Sequence, residues 1–486
     1  MLFNSLSFLV FFPTVFFLYW LLPKKLRTLL LLLVSCVFYM AFVPYYILIL
    51  FYLIGLDYTL ARLIDSAEGK RRRCYFLASI LSTACTLIIF KYFNFFNGNI
   101  TAFAKYIHWS YSISALSLIL PLGLSFHTFQ SLAYVIEVYK GNYKAEKNLL
   151  TYALYVMYFP QLVAGPIERP AQLLPQLKKT QTFDATRAFS GLRLMAWGFF
   201  KKIVIGDRLG VLVSFVFARS GTADASTLLI AVCAFSLQLY TDFSGYTDIA
   251  LGASRTLGIE LRENFHHPYF SRSMSEFWRR WHISLSSWFR DYLYIPLGGS
   301  RVSTLRWCIN ILIVFAVSGL WHGAGWHFII MGLLFGTYIC VGELTKLWRD
   351  RVATLLHIGT QLRSGIQILV SFILATSAWI FFRAQSAHQA FEVIYRIITA
   401  WGGSTFHFLR CSDYCSFYYI GLGRKDLLFL SISITTLFAV EFIAEKNISL
   451  SWWRYRVVRW SAYWILLLWI LTVGYFVPQT FIYFQF

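Results

Sequence analysis

The sequence predicts an all-α polytopic membrane protein, and three observations carry that prediction. Hydrophobic residues make up 58% of the 486 and charged residues only 13%, with a mean hydropathy of +0.60, a balance that excludes a water-soluble enzyme of this length. Apolar runs of helix length recur along the chain, which excludes an outer-membrane barrel built from ~10-residue alternating strands. The net charge of +21 is gathered beside those runs: at Lys24, Lys25 and Arg27, at residues 70–73, at Lys201 and Lys202, at Arg349 and Arg351, and at Arg454, Arg456 and Arg459. Clusters so placed mark cytoplasmic loop ends and contacts with anionic membrane lipids, and no nucleic-acid partner is expected.

Apolar helices are expected near 5–22, 28–42, 45–64, 74–93, 111–138, 149–165, 188–217, 226–253, 305–343, 365–383, 427–444 and 460–477, giving about 11–12 spans. The first run lacks a basic leader and is followed by Lys24 and Lys25 rather than a small-residue cleavage site. It is read as a retained span with its N-terminus outside. Pro44, Pro121, Pro160 and Pro166 interrupt apolar runs. Inside a membrane the carbonyls they free must be covered by protein or by a wet cavity, so re-entrant segments are expected. The clusters at 24–27 and 70–73 are separated by two spans and fall on one face, whereas beyond residue 165 basic groups straddle spans and charge gives no unique topology. With no long linker, low-complexity tract or internal repeat, residues 1–486 read as one integral-membrane domain, its motif-bearing core at about 111–343 and peripheral helices at 365–486. Cys36, Cys85, Cys233 and Cys340 sit in apolar runs and read as small core residues, while Cys411 and Cys415 form a lone C-x-x-x-C in a polar loop.

Functional residues concentrate between Phe270 and Phe328. At about 100° per residue, Glu276 to Tyr292 places Trp278, Trp281, Leu285, Trp288 and Tyr292 on one stripe. Glu276, Arg279, Arg280, Ser284, Ser287, Arg290 and Asp291 lie opposite, which predicts an interfacial amphipathic helix with His282 at the edge of the stripe. His322 stands in an almost wholly apolar span, where Gly319, Gly323, Gly325 and Gly332 would let another backbone or a ligand come close. An ionisable ring at such depth is expensive and is expected to face a wet pocket, although a helix-to-helix hydrogen bond is the alternative. His327 lies five residues on, about 140° around a helix, so it shares no metal-binding face with His322 and reads as structural or as a rim residue. His127, His266 and His267 read as ordinary. Asp242 and Asp248 fall inside a span and read as buried ion-pair members, with Arg169, Arg255, Arg272 or Arg279 as candidate partners.

Several segments together resemble the membrane-bound O-acyltransferase family, in its bacterial branch of alginate O-acetyltransferases and teichoic-acid D-alanyl transferases. They are Leu120-Pro-Leu-Gly-Leu-Ser-Phe-His-Thr-Phe-Gln130, Phe159-Pro-Gln-Leu-Val-Ala-Gly-Pro-Ile-Glu-Arg169, Tyr240-Thr-Asp-Phe-Ser-Gly-Tyr-Thr-Asp-Ile-Ala250, Phe277-Trp-Arg-Arg-Trp-His-Ile-Ser-Leu-Ser286, Trp321-His-Gly-Ala324 and the terminal Phe481-Ile-Tyr-Phe-Gln-Phe486. The resemblance implies a family-type helical core, an essential histidine at His322 and a second polar active-site position at His282. The expected substrate contacts are Trp321, Trp281, Arg279, Arg280, Ser286 and Asp242, with Arg279 and Arg280 either meeting donor phosphates or anchoring lipid headgroups. His327 stands where most alginate-type members carry Thr, which leaves the acceptor open.

The chemistry expected of such a site is acyl transfer to a hydroxyl, for which a neutral imidazole near pH 7 is the best-matched base. His322 takes that role, and His282 orients the donor thioester, shares the proton or stabilises the oxyanion. No bound cofactor or metal is expected. The donor substrate is acetyl-CoA or an acyl carrier thioester. The function expected is O-acetyl transfer across the bacterial inner membrane toward an exported polysaccharide such as alginate or peptidoglycan. It would act directly or through a periplasmic SGNH-type acetyltransferase or the polysaccharide export machinery. Transfer of D-alanine to teichoic acid is the alternative on the same fold, and a transporter the alternative from another class.

Overall fold

The computed structural model describes residues 1–118, 121, 123–162, 165–401, 420–477 and 481–482. Cys411 and Cys415 lie outside them. Twenty α-helices, numbered here in chain order, occupy those residues. They are α1 Leu6–Leu21, α2 Arg27–Met40, α3 Ile47–Ser66, α4 Gly69–Leu87, α5 Phe93–Tyr106, α6 Leu124–Lys140, α7 Leu149–Met157, α8 Pro170–Lys178, α9 Ala185–Phe199, α10 Asp207–Phe217, α11 Ala225–Thr256 and α12 Met274–Arg280. They continue as α13 Ile283–Phe289, α14 Thr304–His322, α15 Trp326–Leu344, α16 Lys346–Leu355, α17 Thr360–Arg383, α18 Ala387–Thr399, α19 Arg424–Glu445 and α20 Arg456–Val473. No strand occurs among the described residues, and eight helical segments there are long and apolar enough to cross a membrane. The chain is an all-α polytopic membrane protein.

Several expected runs take a different form. The run at 305–343 is the hairpin α14–α15, turned by Gly323 and Gly325. In the run at 111–138 the helix spans Leu124–Lys140, and in the one at 149–165 it spans Leu149–Met157. The last turn of α7 is covered by side chains: Gln130 and Gln161 both donate to the Tyr155 carbonyl, at 2.5 and 2.6 Å. The cysteines of the apolar runs also differ from expectation, since only Cys340 is buried, Cys36 and Cys233 are half-buried, and Cys85 faces outward.

The chain folds as two compact units, Met1–Met195 with Ala250–Glu263, and Ala196–Ile249 with Asn264–Phe486. In the first, the core is aromatic: Tyr134 and Tyr152 rings lie 4.6 Å apart, and Phe159 meets both Phe11 and Phe38. Gly191 and Gly252 let two helix backbones touch there. In the second unit the same device recurs at Gly198 and Gly245, where a Cβ on Gly245 would lie 2.8 Å from the Gly198 carbonyl oxygen. The α14–α15 hairpin is sealed likewise, a Cβ on Gly319 colliding with the Phe328 carbonyl and one on Gly332 with that of Phe315. The neighbouring helix, and not a ligand, therefore fills the space those two glycines leave.

Lys201 and Lys202, expected at a loop end, are buried in the second unit, in a π-helical segment Phe200–Gly206. Lys201 pairs with Asp248 at 2.5 Å; Lys202 pairs with Asp207 at 2.7 Å and with Asp242. Two ammonium groups out of water need carboxylates at once, and these replace the arginines expected as partners of Asp242 and Asp248. Valine at Gly245 forces the two backbones apart, and we expect Gly245→Val to lower stability by at least about 1–3 kcal/mol, read as a fall in thermal unfolding temperature in detergent.

Candidate active site

The stretch expected as one amphipathic helix is broken where its histidine stands. Helix α12 starts at an N-cap, Ser273 accepting from the Glu276 N–H at 3.1 Å, while the Glu276 carboxylate accepts from the Arg272 N–H at 2.8 Å. It ends at Arg280, Trp281 is extended, and His282 adopts φ 43° and ψ 54°, a left-handed conformation that a non-glycine residue enters at a cost of about 1–2 kcal/mol. Helix α13 then begins. The break is held by Asn264: its carbonyl accepts from the Ile283 N–H at 2.9 Å, and its side-chain oxygen accepts from the Ser284 N–H at 3.2 Å. Those are donors of the first turn of α13, so a segment distant in sequence caps this helix. The His266 N–H donates to the Arg280 carbonyl at 2.9 Å and closes the other side of the break. A continuous helix would leave Ser284 and Ser287 on a wet face, whereas both are buried.

His322 ends α14 and is buried, as is Trp321. The Trp321 ring lies 6.2 Å from the His282 ring and 4.9 Å from that of His322. Phe243 closes on His282 edge-on at 4.8 Å, and Phe382 on His322 at 5.5 Å. Two imidazoles contributed by separate elements of the second unit thus share one tryptophan. His282 has no solvent exposure. Burial, with His322 as the second cause, holds its imidazole well below the ordinary histidine range, so it is neutral near pH 7 and carries one N–H donor and one acceptor nitrogen.

A cavity of about 330 Å³ lies in the same unit. It is lined by Ser286, four residues after His282, and by Ser318, four before His322, with Trp278, Leu285, Phe289 and Phe315 as apolar wall and Arg279 and Arg290 as its cations. Neither imidazole is itself among the lining residues. Ser286 donates its hydroxyl to the Trp281 carbonyl at 3.2 Å, which braces the break from within α13.

Other expected contacts are placed elsewhere by the fold. Trp281 is sealed in an aromatic core, its ring 5.4 Å from Phe277 and 5.2 Å from Trp379, so it has no surface for substrate. The Arg280 guanidinium is held by two bonds to Glu445, at 2.8 and 2.9 Å, and pairs with Glu276 at 2.7 Å. Its charge is matched there by two carboxylates of the protein itself. Asp242 is engaged by Lys202 and by the Ile482 N–H at 3.0 Å, an anchor for the chain's last described residues. Arg279 is exposed and borders two cavities. His327 packs its ring 4.2 Å from that of Phe328. Asn264 is the residue sequence reading missed; a fully buried asparagine beside a helix start is a signal only once the two segments are known to touch.

Residues 145–385 match the family described as MBOAT, membrane-bound O-acyltransferase family. The chain is 35% identical over 401 residues to the probable alginate O-acetylase AlgI of Pseudomonas aeruginosa, covering 81% of this chain and 74% of that one. This chain belongs to the membrane-bound O-acyltransferase family. It is therefore an O-acyltransferase, and a transport-only role is set aside. It is also 32% identical to the peptidoglycan O-acetyltransferase of Helicobacter pylori over 444 residues, 84% of this chain and 81% of that one. With the teichoic acid D-alanyltransferase of Bacillus subtilis it shares 29% identity over 247 residues, 48% of this chain and 62% of that one.

Two outcomes test the geometry of this acyltransferase. Asn264→Ala removes the side-chain cap of α13, costing about 1 kcal/mol and slowing transfer, read in paired melting and activity assays. As pH falls below about 6.5 the unfolded chain binds a proton at His282 that the folded chain refuses, so stability drops on the acid side. His282→Asn, whose side chain tolerates the left-handed backbone, flattens that acid slope in melting curves taken between about pH 5 and 7.

Proposed function

We propose that this protein is a polysaccharide O-acetyltransferase of a bacterial inner membrane, with His322 as general base and His282 as its partner. The observation that supports this most directly is the pair of buried imidazoles on the Trp321 ring, one helical turn from residues of a cavity that has an apolar wall and a cationic rim. The donor is acetyl-CoA or an acetylated carrier thioester. The acceptor hydroxyl gives its proton to His322 as its oxygen attacks the thioester carbonyl; the new C–O bond forms, the C–S bond breaks, and the proton passes to the leaving sulfur. His282, kept neutral by burial, donates its one N–H to the carbonyl oxygen as charge develops there. Acceptors of the alginate or peptidoglycan kind are favoured by the relatives of broadest coverage. The acetyl group reaches the polymer directly or through a periplasmic SGNH-type partner. D-Alanyl transfer is the second reading, supported by the Bacillus relative over a shorter stretch.

In proteoliposomes supplied with labelled acetyl-CoA, His322→Ala is expected to lower transfer to glycan or partner by about 10²–10⁴-fold while folded yield is unchanged. Wild-type rates in that variant overturn the assignment of His322. Label passing from an alanyl carrier and not from acetyl-CoA selects the D-alanyl reading.

A further inference from the structure

Away from the histidines, the second unit holds a cavity of about 460 Å³ between the start of α12, the end of α15, α16 and the start of α17. Five cations line it: Arg272, Arg279, Lys346, Arg349 and Arg363. Two carboxylates oppose them, Glu343 and Asp350, leaving an excess of three positive charges. Asp350 is taken by Arg363, and the Arg349 guanidinium rests on the Gly342 carbonyl at 2.5 Å, a bond that leaves its charge uncompensated. Among the described residues Arg272, Arg279 and Lys346 form no ion pair.

A second cavity, of about 250 Å³, shares eight lining residues with the first, Arg272, Arg349 and Arg363 among them, and adds a wall that is apolar except for Ser371 and includes Val352, Ile366 and Val370. A polar chamber with surplus positive charge therefore opens into an apolar one. Helix α16 lies beside both: Lys346, Arg349 and Asp350 fall on one side, and Leu347, Trp348 and Leu355 lie exposed on the other with Arg351 among them. It joins two helices that are long and apolar enough to cross a membrane, Trp326–Leu344 and Thr360–Arg383, as a segment at the headgroup level would.

We propose that these joined cavities bind an anionic phospholipid, its phosphodiester headgroup among Arg272, Lys346 and Arg349 and an acyl chain against Val352, Ile366 and Val370. The charge excess selects an anionic over a zwitterionic lipid, and the apolar chamber selects a lipid over a free phosphate. Arg279 also lines the cavity that Ser286 and Ser318 border, but Arg272, Lys346, Arg349, Val352, Ile366 and Val370 do not, so either reading stands if the other fails.

The test uses the full chain purified in detergent, with native mass spectrometry and thermal unfolding as readouts. Phosphatidylglycerol is expected to be retained at least tenfold more strongly than phosphatidylcholine and to raise the unfolding temperature. Lys346→Gln combined with Arg349→Gln is expected to weaken that preference by roughly tenfold or more, since each cation near a charged headgroup contributes about a kcal/mol. Lys346→Arg with Arg349→Lys, which keeps the charge, restores it. Val370→Trp, which fills the apolar chamber, weakens retention of both lipids. Equal retention of the two lipids by the wild type, or an unchanged preference in the double glutamine variant, overturns the proposal. Stabilisation by inorganic phosphate equal to that by the lipid reduces the site to an anion pocket and overturns the lipid assignment. Displacement of bound lipid by coenzyme A at equal concentration assigns the chamber to the donor and overturns it as well.

Discussion

Two hydrogen bonds accepted by Asn264, one at its backbone carbonyl and one at its side-chain oxygen, decide where the chemistry of this molecule stands. They satisfy the first N–H groups of α13 and so allow the chain to stop one helix at Arg280 and start another at Ile283. Between the two, His282 is held in a left-handed conformation that its own backbone disfavours. A continuous helix would swing the imidazole through the wet and apolar faces in fixed register with its neighbours. The break frees it from that register and lets Trp281 face an aromatic core while His282 faces Trp321. Positive φ at histidine also occurs at His108, His267 and His357, but His282 alone of these is fully buried.

The second constraint is the expense of charge and of bare backbone in an apolar surrounding. Lys201 and Lys202 are tolerable only because Asp207, Asp242 and Asp248 meet them at ion-pair distance, and Asp242 in turn takes a backbone N–H from Ile482. The same economy closes α7, where two glutamine side chains serve the Tyr155 carbonyl while the Phe159 N–H, its would-be helical donor, turns to the Ser35 hydroxyl. Where no polar group needs covering, glycine brings helices into backbone contact, at Gly198 with Gly245 and along the α14–α15 hairpin. That hairpin sets the end of α14, and with it the position of His322.

Periodicity and composition were enough to find most of the membrane helices, because hydrophobic length is a local property of the chain. They were weaker at breaks. The runs at 188–217 and 276–292 keep an apolar stripe through a π segment and through a left-handed residue, since the stripe records burial and not backbone continuity. Charge reading failed at Lys201 and Lys202 for a related reason: a basic residue looks alike in sequence whether water or a carboxylate from a distant helix receives it. His322 drew notice because a titratable ring in apolar sequence is rare, whereas His282, in a stretch with three arginines, drew it through the family resemblance.

By itself the sequence determined that the chain lies in a membrane, is helical, and carries two imidazoles in places where solvation cannot be the reason for them. The family followed from short polar signatures spaced along it. Only the tertiary structure decided that those imidazoles meet at one tryptophan, that Asn264 holds one of them there, and that Trp281 and Arg280 are engaged by the protein itself. Each of those outcomes is a contact between segments far apart in the chain, set by hydrogen bonds, charge pairing and close packing that no local pattern of residues encodes.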